Sequence, residues 1–313
     1  MTAQPIVHLE ALNPAAYGAG VERCLEGVGF FRDVPAGARV FLKPNLTFPE
    51  FRPGVMTSLE CLRAVAGCLV GRGYRVVIGE ADSGGYNRFS MDEVFRGMGI
   101  HELARELGVE LVNLSFTEPE WIAMPAGWHR LRVPFPRLLL REIEAFITLP
   151  VPKIHMNTLV SMSIKNQWGC IQEPAERLRL HPHFAEVMYE FNRRLPKAYC
   201  LMDGRYGLNR TGPMLGDVVE LDFLMASNDL VAADRVGCRI LLIDEDRVGY
   251  LRHFRARGWW TDFGAIRLNV DPARFRKVPF YLVRKWTDYP GLACFQSRFL
   301  AWLGYHSPLA GFA

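Results

Sequence analysis

Between residues 153 and 183 the chain carries Lys153, His155, Ser161, Ser163, Lys165, Asn166, His181 and His183. Neutral imidazole moves protons near neutral pH and binds Zn, Ni or Fe; a lysine ammonium attracts a carboxylate or phosphate and becomes a nucleophile once its pKa falls. A Lys-x-His, a second lysine ten residues after that histidine and another histidine sixteen further on make His155 and Lys165 the candidate catalytic pair. Lys153, Ser163 and Asn166 are candidate anion-binding groups, and His181 is a candidate metal ligand. A lone histidine is more often a packed structural residue, so the argument rests on the set, and spacing alone leaves a structural origin open.

Three more polar groups each follow a short apolar run: Lys43-Pro44-Asn45, Glu80-Ala81-Asp82-Ser83 and Asp203-Gly204-Arg205. Lys43, Asn45 and Asp203 join the substrate-binding candidates. Glu80 and Asp82 could hold a cation or a substrate hydroxyl, or be ordinary turn carboxylates. Gly79, Gly84 and Gly85 match neither G-x-G-x-x-G nor the P-loop spacing, so a glycine-rich turn is expected in place of a phosphate cradle.

These groups need elements that bring them to one edge. The pattern predicts strands at 39–42, 74–79, 109–114, 145–149 and 198–202, helices at 61–71 and 91–107, the latter closed by Gly108, and further helix between the last two strands. Short apolar strands alternating with helices imply an α/β fold, a layered, mostly parallel sheet with flanking helices, whose ligands bind beyond the carboxyl ends of the strands.

The 313 residues are 50% hydrophobic and 22% charged, which excludes disorder and fibre. No apolar run reaches the roughly 18 residues of a membrane span. The first ten residues lack the basic and apolar regions of a secretory signal, so a cytoplasmic location is expected, peripheral to a membrane if the C-terminal stretch meets one. Seven cysteines without a C-x-x-C read as buried thiols rather than a zinc ribbon or iron-sulfur cluster; Cys170, in a polar stretch, is the exception to keep. Charge is concentrated late, with ten Lys or Arg against two acidic residues from Arg247 to Lys285 and nine aromatics from Phe280 onward. The expected division is therefore an α/β core over 1–246 and a basic, aromatic extension over 247–313. The extension either packs on its own core or meets a protein partner or an anionic membrane surface. Nucleic acid is disfavoured, because the aromatics are not interleaved with the basic residues as in RNP-type motifs.

The ordered stretches Lys43-Pro44-Asn45-Leu46, Val77-Ile78-Gly79-Glu80, Pro150-Val151-Pro152-Lys153-Ile154-His155, Ser163-Ile164-Lys165-Asn166-Gln167-Trp168-Gly169, His181, Asp203-Gly204, Thr211-Gly212-Pro213 and Ser227-Asn228-Asp229-Leu230-Val231-Ala232-Ala233-Asp234 resemble the bacterial and archaeal family called domain of unknown function 362. Many members of that family add a ferredoxin-like cysteine motif; this chain has no iron-sulfur motif, so the resemblance implies that any electrons come from an external electron-transfer protein. The order His155, Lys165, His181 is also similar to that of the nickel-pincer lactate racemase family. That resemblance implies His155 as proton shuttle, Lys165 as anchor of a metal-organic cofactor, and His181 as metal ligand; from the residue types, Glu80 or Asp82 could join His181 around a metal. Two departures stand against it. Ser161-Met162-Ser163-Ile164 replaces a glycine-containing stretch and leaves less room for a planar cofactor, and no imidazole follows the early strand where the racemases carry a second catalytic histidine.

Two functions follow. The first is an oxidoreductase or isomerase acting on a small hydroxy or keto acid or a related anionic metabolite, with a metal ion or Lys165-anchored cofactor. The second is an accessory protein that binds an anion, metal or cofactor and presents it to a partner. An enzyme should place His155 and Lys165 on one enclosed void, whereas a carrier should open the site toward the extension.

Overall fold

The computed structural model describes residues 4–83, 89–126 and 129–300; Gly84, Gly85, Trp302, Tyr305 and Phe312 lie outside them. The described strands are β1 (Ile6–Ala11), β2 (Arg39–Pro44), β3 (Arg75–Glu80), β4 (Glu110–Asn113), β5 (Pro119–Ala126), β6 (His129–Pro136), β7 (Ala145–Leu149), β8 (Lys153–His155), β9 (Leu159–Ser161), β10 (Lys197–Asn209), β11 (Asp217–Ser227) and β12 (Arg267–Leu268). Ten of them form one sheet in the order β12-β1-β11-β10-β7-β2-β3-β4, with β8 and β9 attached beside β10; β5 and β6 form a separate hairpin. The run β10-β7-β2-β3-β4 is parallel throughout, while β11 pairs antiparallel with both β10 and β1.

Alternation along the strands divides the core into two layers, because successive side chains leave opposite faces of a sheet. Val40, Leu42, Val76, Ile78, Ile147 and Leu201 face the helices Tyr17–Gly27, Leu59–Gly71 and Ile100–Leu107. Phe41, Val77, Phe146, Cys200 and Met202 face the helices Phe184–Asn192, Leu230–Leu241 and Gly249–Ala256 and the β5–β6 hairpin. The helix expected over 91–107 is two helices, Met91–Gly97 and Ile100–Leu107, because Gly99 takes a left-handed φ of 71° between them. Ser90 starts the first through a capping box with Glu93, and Gly108 ends the second at φ 64°.

The parallel strands end on one edge. Lys43, Glu80 and Asn113 lie at the carboxyl ends of β2, β3 and β4, and Lys153 follows β7. Asp203 lies within β10, just past the residues paired with β7, where its backbone N–H donates to Pro150 O at 2.9 Å.

No gap in the packing matches the division drawn at 246/247. Val248, Tyr250, Leu251, Phe254, Ile266, Phe275 and Phe280 are buried in the same core as the sheet, and β12 pairs with β1. Beyond Phe280 the character changes: Trp286 is 82% exposed, Phe299 67% and Tyr289 57%.

Candidate functional site

Lys43 and Glu80, side by side at the ends of β2 and β3, form a buried ion pair, and the Lys43 ammonium also donates to Pro44 O at 2.9 Å. Burial raises the Glu80 carboxyl above its ordinary range, although Lys43 pulls the other way. The turn above them has to be glycine: a Cβ on Gly169 would collide with the Glu80 carboxylate and lie 3.0 Å from the Lys43 ammonium.

Above this pair is a crevice of about 100 Å³ lined by Asn45, Glu80, Lys153, His155, Ser161, Lys165, Asn166, Trp168 and Arg177, among others. Lys153 and His155 reach it from β8 and Ser161 from β9, the antiparallel partner of β8. Lys165 comes from the short helix Ser163–Asn166, whose start is pinned by the buried carboxylate of Asp234. That carboxylate accepts the Ser163 N–H at 2.7 Å, the Ile164 N–H at 3.3 Å and the Tyr250 hydroxyl at 2.8 Å. Burial pushes Asp234 up to about 6 against those bonds.

With Lys43 included, four cationic side chains meet one carboxylate here. The consequence is visible in the amines. Burial, then the neighbouring cations, brings Lys165 down to about 7, and burial with Lys43 brings Lys153 down to about 7. The Lys153 ammonium donates to Val55 O at 2.6 Å. The Lys165 ammonium lies 5.6 Å from the Trp168 ring centre and 5.4 Å from that of Phe184. His155 Nδ1 accepts the Asn157 N–H at 3.1 Å, which leaves the ring proton on Nε2. Burial and the charges of Lys165 and Lys153 hold His155 well below its ordinary pKa, so the ring is neutral. A neutral ring whose Nε2 already carries the proton donates a hydrogen bond and does not accept a proton there. Lys165 is a neighbouring group in the crevice whose amine is brought near neutrality.

Several expected site residues have other duties. The Asp82 carboxylate accepts the Met91 N–H at 2.6 Å and the Asn113 amide at 3.1 Å. Asp203 accepts from the Tyr17 hydroxyl at 2.7 Å and from the Ser58 N–H at 2.9 Å. Ser163 serves Asp234 and donates to Leu230 O at 2.9 Å. Asn166 lines the crevice, but its amide donates to Lys43 O at 3.0 Å and Thr148 Oγ1 at 2.9 Å. His181 packs on Trp168 at 5.1 Å and Phe295 at 4.9 Å between ring centres and lines a neighbouring cavity. Cys170 is buried, with its thiol pushed up to about 12, and has no thiolate chemistry near neutral pH. Arg177, whose guanidinium donates to Asp82 O, is the cation the sequence reading missed.

These arrangements leave no ready metal set among the described residues of the crevice. Glu80 is held by Lys43, Asp82 Oδ1 accepts the Met91 N–H and the Asn113 amide, and His181 lines the neighbouring cavity; among the described residues no three His, Cys, Asp or Glu side chains converge as a metal set. The volume is also well below the roughly 300–1,000 Å³ of pockets for cofactor-sized ligands.

Fold and crevice together define an α/β protein with a cation-rich, carboxylate-poor pocket at the carboxyl edge of its parallel strands. The chain belongs to the DUF362 family, a domain of unknown function, whose model matches residues 40–239 and so encloses every residue lining the crevice. It is similar to the thylakoid-associated protein sll1697 of Synechocystis sp., with 28% identity over 228 residues, 70% of this chain and 67% of that protein. Among solved structures it is similar to the lactate racemase apoprotein of Thermoanaerobacterium thermosaccharolyticum, at 14% identity and a TM-score of 0.44 over 75% of this chain and 56% of that one. A Thermotoga maritima protein matches at 13% identity and a TM-score of 0.35 over 61% of this chain and 51% of that one. This chain thus spans little more than half the length of either solved structure. No helix among the described residues is long and apolar enough to cross a membrane.

Proposed function

We propose that this chain is an enzyme of the isomerase type that moves a proton on a small hydroxy or keto acid. The observation that carries the reading is that His155 and Lys165 line the same small crevice, in which cations outnumber carboxylates. Lys153 and Arg177 would hold the substrate carboxylate. The Lys165 amine would take a proton from the carbon next to the carboxylate of a hydroxy acid, or next to the ketone of a keto acid, the electron pair would move onto the carboxylate or ketone oxygen that accepts from His155 Nε2–H, and the Lys165 ammonium would give the proton back. A donor aimed at developing oxyanion charge and a base titrating near neutrality are what such a step needs. The step requires no co-reactant, whereas an oxidation would require a separate electron-transfer protein.

Incubating the protein with small hydroxy and keto acids in D2O tests this. Deuterium should appear at the carbon next to the carboxylate of a hydroxy acid or next to the ketone of a keto acid, vanish in Lys165→Met, and fall by roughly 10²–10³-fold in His155→Ala while His155→Gln, which keeps a donor, retains most of it. An acid that raises the melting temperature without exchanging would assign the chain to the accessory, anion-presenting class. If no small acid is bound at all, the enzyme reading is wrong.

A further inference from the structure

A second cavity, of about 740 Å³, lies beside the crevice, walled by the turn between β8 and β9, by His181 and Phe184, by the helix Gly249–Ala256 and by the segment 282–296. Three arginines from separate places, Arg247, Arg252 and Arg284, line it. None is paired with a carboxylate among the described residues: Arg252 donates to Asp246 O at 2.6 Å and Arg284 to Met156 O at 2.8 Å. The one carboxylate on the wall, Glu186, is taken by Arg298 at 3.1 Å. Three guanidiniums around an open cavity leave a positive potential that a phosphate would neutralise.

What surrounds the cavity selects the source of that phosphate. Trp286 and Tyr289 are 82% and 57% exposed, with Tyr281 and Val283 also outside the core. Lys285 and Arg298 stand in the same stretch. A pocket for a free metabolite has no need of exposed apolar rings at its rim, whereas Trp and Tyr beside basic residues are the groups that settle at the headgroup level of a bilayer. We propose that this face, from Arg247 to Leu300, docks on an anionic membrane surface, with a lipid phosphate entering the arginine cavity and the exposed rings lying among the headgroups. The inference is independent of the chemistry assigned to the crevice.

The test is co-sedimentation of the full chain with vesicles of phosphatidylcholine alone and of phosphatidylcholine mixed with phosphatidylglycerol. Binding is expected only to the mixed vesicles and should weaken as salt rises. The combined variant Arg247→Ala, Arg252→Ala, Arg284→Ala should lose on the order of a hundredfold in partitioning, at about a tenfold or smaller factor per charge. Trp286→Ser, at a side chain too exposed to matter for folding, should lose severalfold even if the triple variant does not fold. Equal binding to both vesicle types, no binding to either, or binding unaffected by Trp286→Ser and by salt would overturn the proposal. So would saturable binding of glycerol 3-phosphate in solution by a protein that ignores vesicles, which would make the cavity a site for a free phosphate ester.

Discussion

At the scale of single residues the crevice is a set of charges that folding has desolvated without neutralising. Lys153 and Lys165 fall to about 7 from 10.5, so between those values the unfolded chain binds more protons than the folded one. Stability of the unliganded protein should therefore rise with pH across that window, an effect that urea titrations at successive pH values would detect. Anion affinity should run the opposite way, falling up to about tenfold per pH unit above 7 for each lysine whose proton the anion needs, as titration calorimetry would show. Replacing Lys165 with Met should raise the urea midpoint, by a stabilisation on the order of 1–3 kcal/mol, while leaving anion binding by Lys153 and Arg177 in place. An unchanged midpoint would show that this amine is not buried at the site. Sequence reading identified both lysines from their spacing. It did not reach the ring proton of His155, which is set by the backbone N–H of Asn157 two residues on, a relation no side-chain pattern encodes.

Among the elements, the short helix Ser163–Asn166 carries the reactive amine but is too brief to hold itself, and its position depends on Asp234 from the helix Leu230–Leu241. Asp234→Asn turns an acceptor of two backbone N–H groups into a mixed donor and acceptor. A loss of about 1–3 kcal/mol in chemical denaturation is expected, together with slower deuterium exchange through a displaced Lys165. Gly169→Ala should cost a similar amount, on the order of 1–3 kcal/mol, by forcing a methyl group into the buried Lys43–Glu80 pair. A fully stable Gly169→Ala protein would mean that the pair has room to move. The strands behind these features were legible because β2, β3 and β7 are short apolar runs flanked by polar residues. The antiparallel strands β1 and β11 and the β5–β6 hairpin were not, since their mixed polar and apolar residues lack the signature of a buried parallel strand. The site residues that went astray have a common cause: a carboxylate or hydroxyl after a strand can as readily cap a neighbouring segment as face a ligand, and Asp82, Asp203 and Ser163 all do the former.

For the molecule as a whole, composition placed a boundary at 246/247, but charge reports what faces water and not what lies beneath it. Tyr250, Leu251 and Phe254 fill the core from a segment whose alternate residues are arginines. Truncation after residue 282 should leave the melting temperature nearly unchanged and remove vesicle binding, whereas truncation after 246 should leave a chain without a cooperative unfolding transition. Calorimetry on the two truncated proteins would distinguish these outcomes. The sheet also sets an order of events at the ribosome. β1 is made first, yet it is held between β11 and β12, with Val7 opposite Ser227 and next to Leu268. At roughly 5–20 residues per second the nascent strand must wait on the order of ten seconds or more for its partners to emerge. Through that interval Val7 and Leu9 have no sheet to enter. Stalled nascent chains ending before β11 should therefore leave β1 open to protease after β2, β3 and the helix between them are already protected, and a newborn chain is exposed to misassociation at this strand until its two late partners emerge.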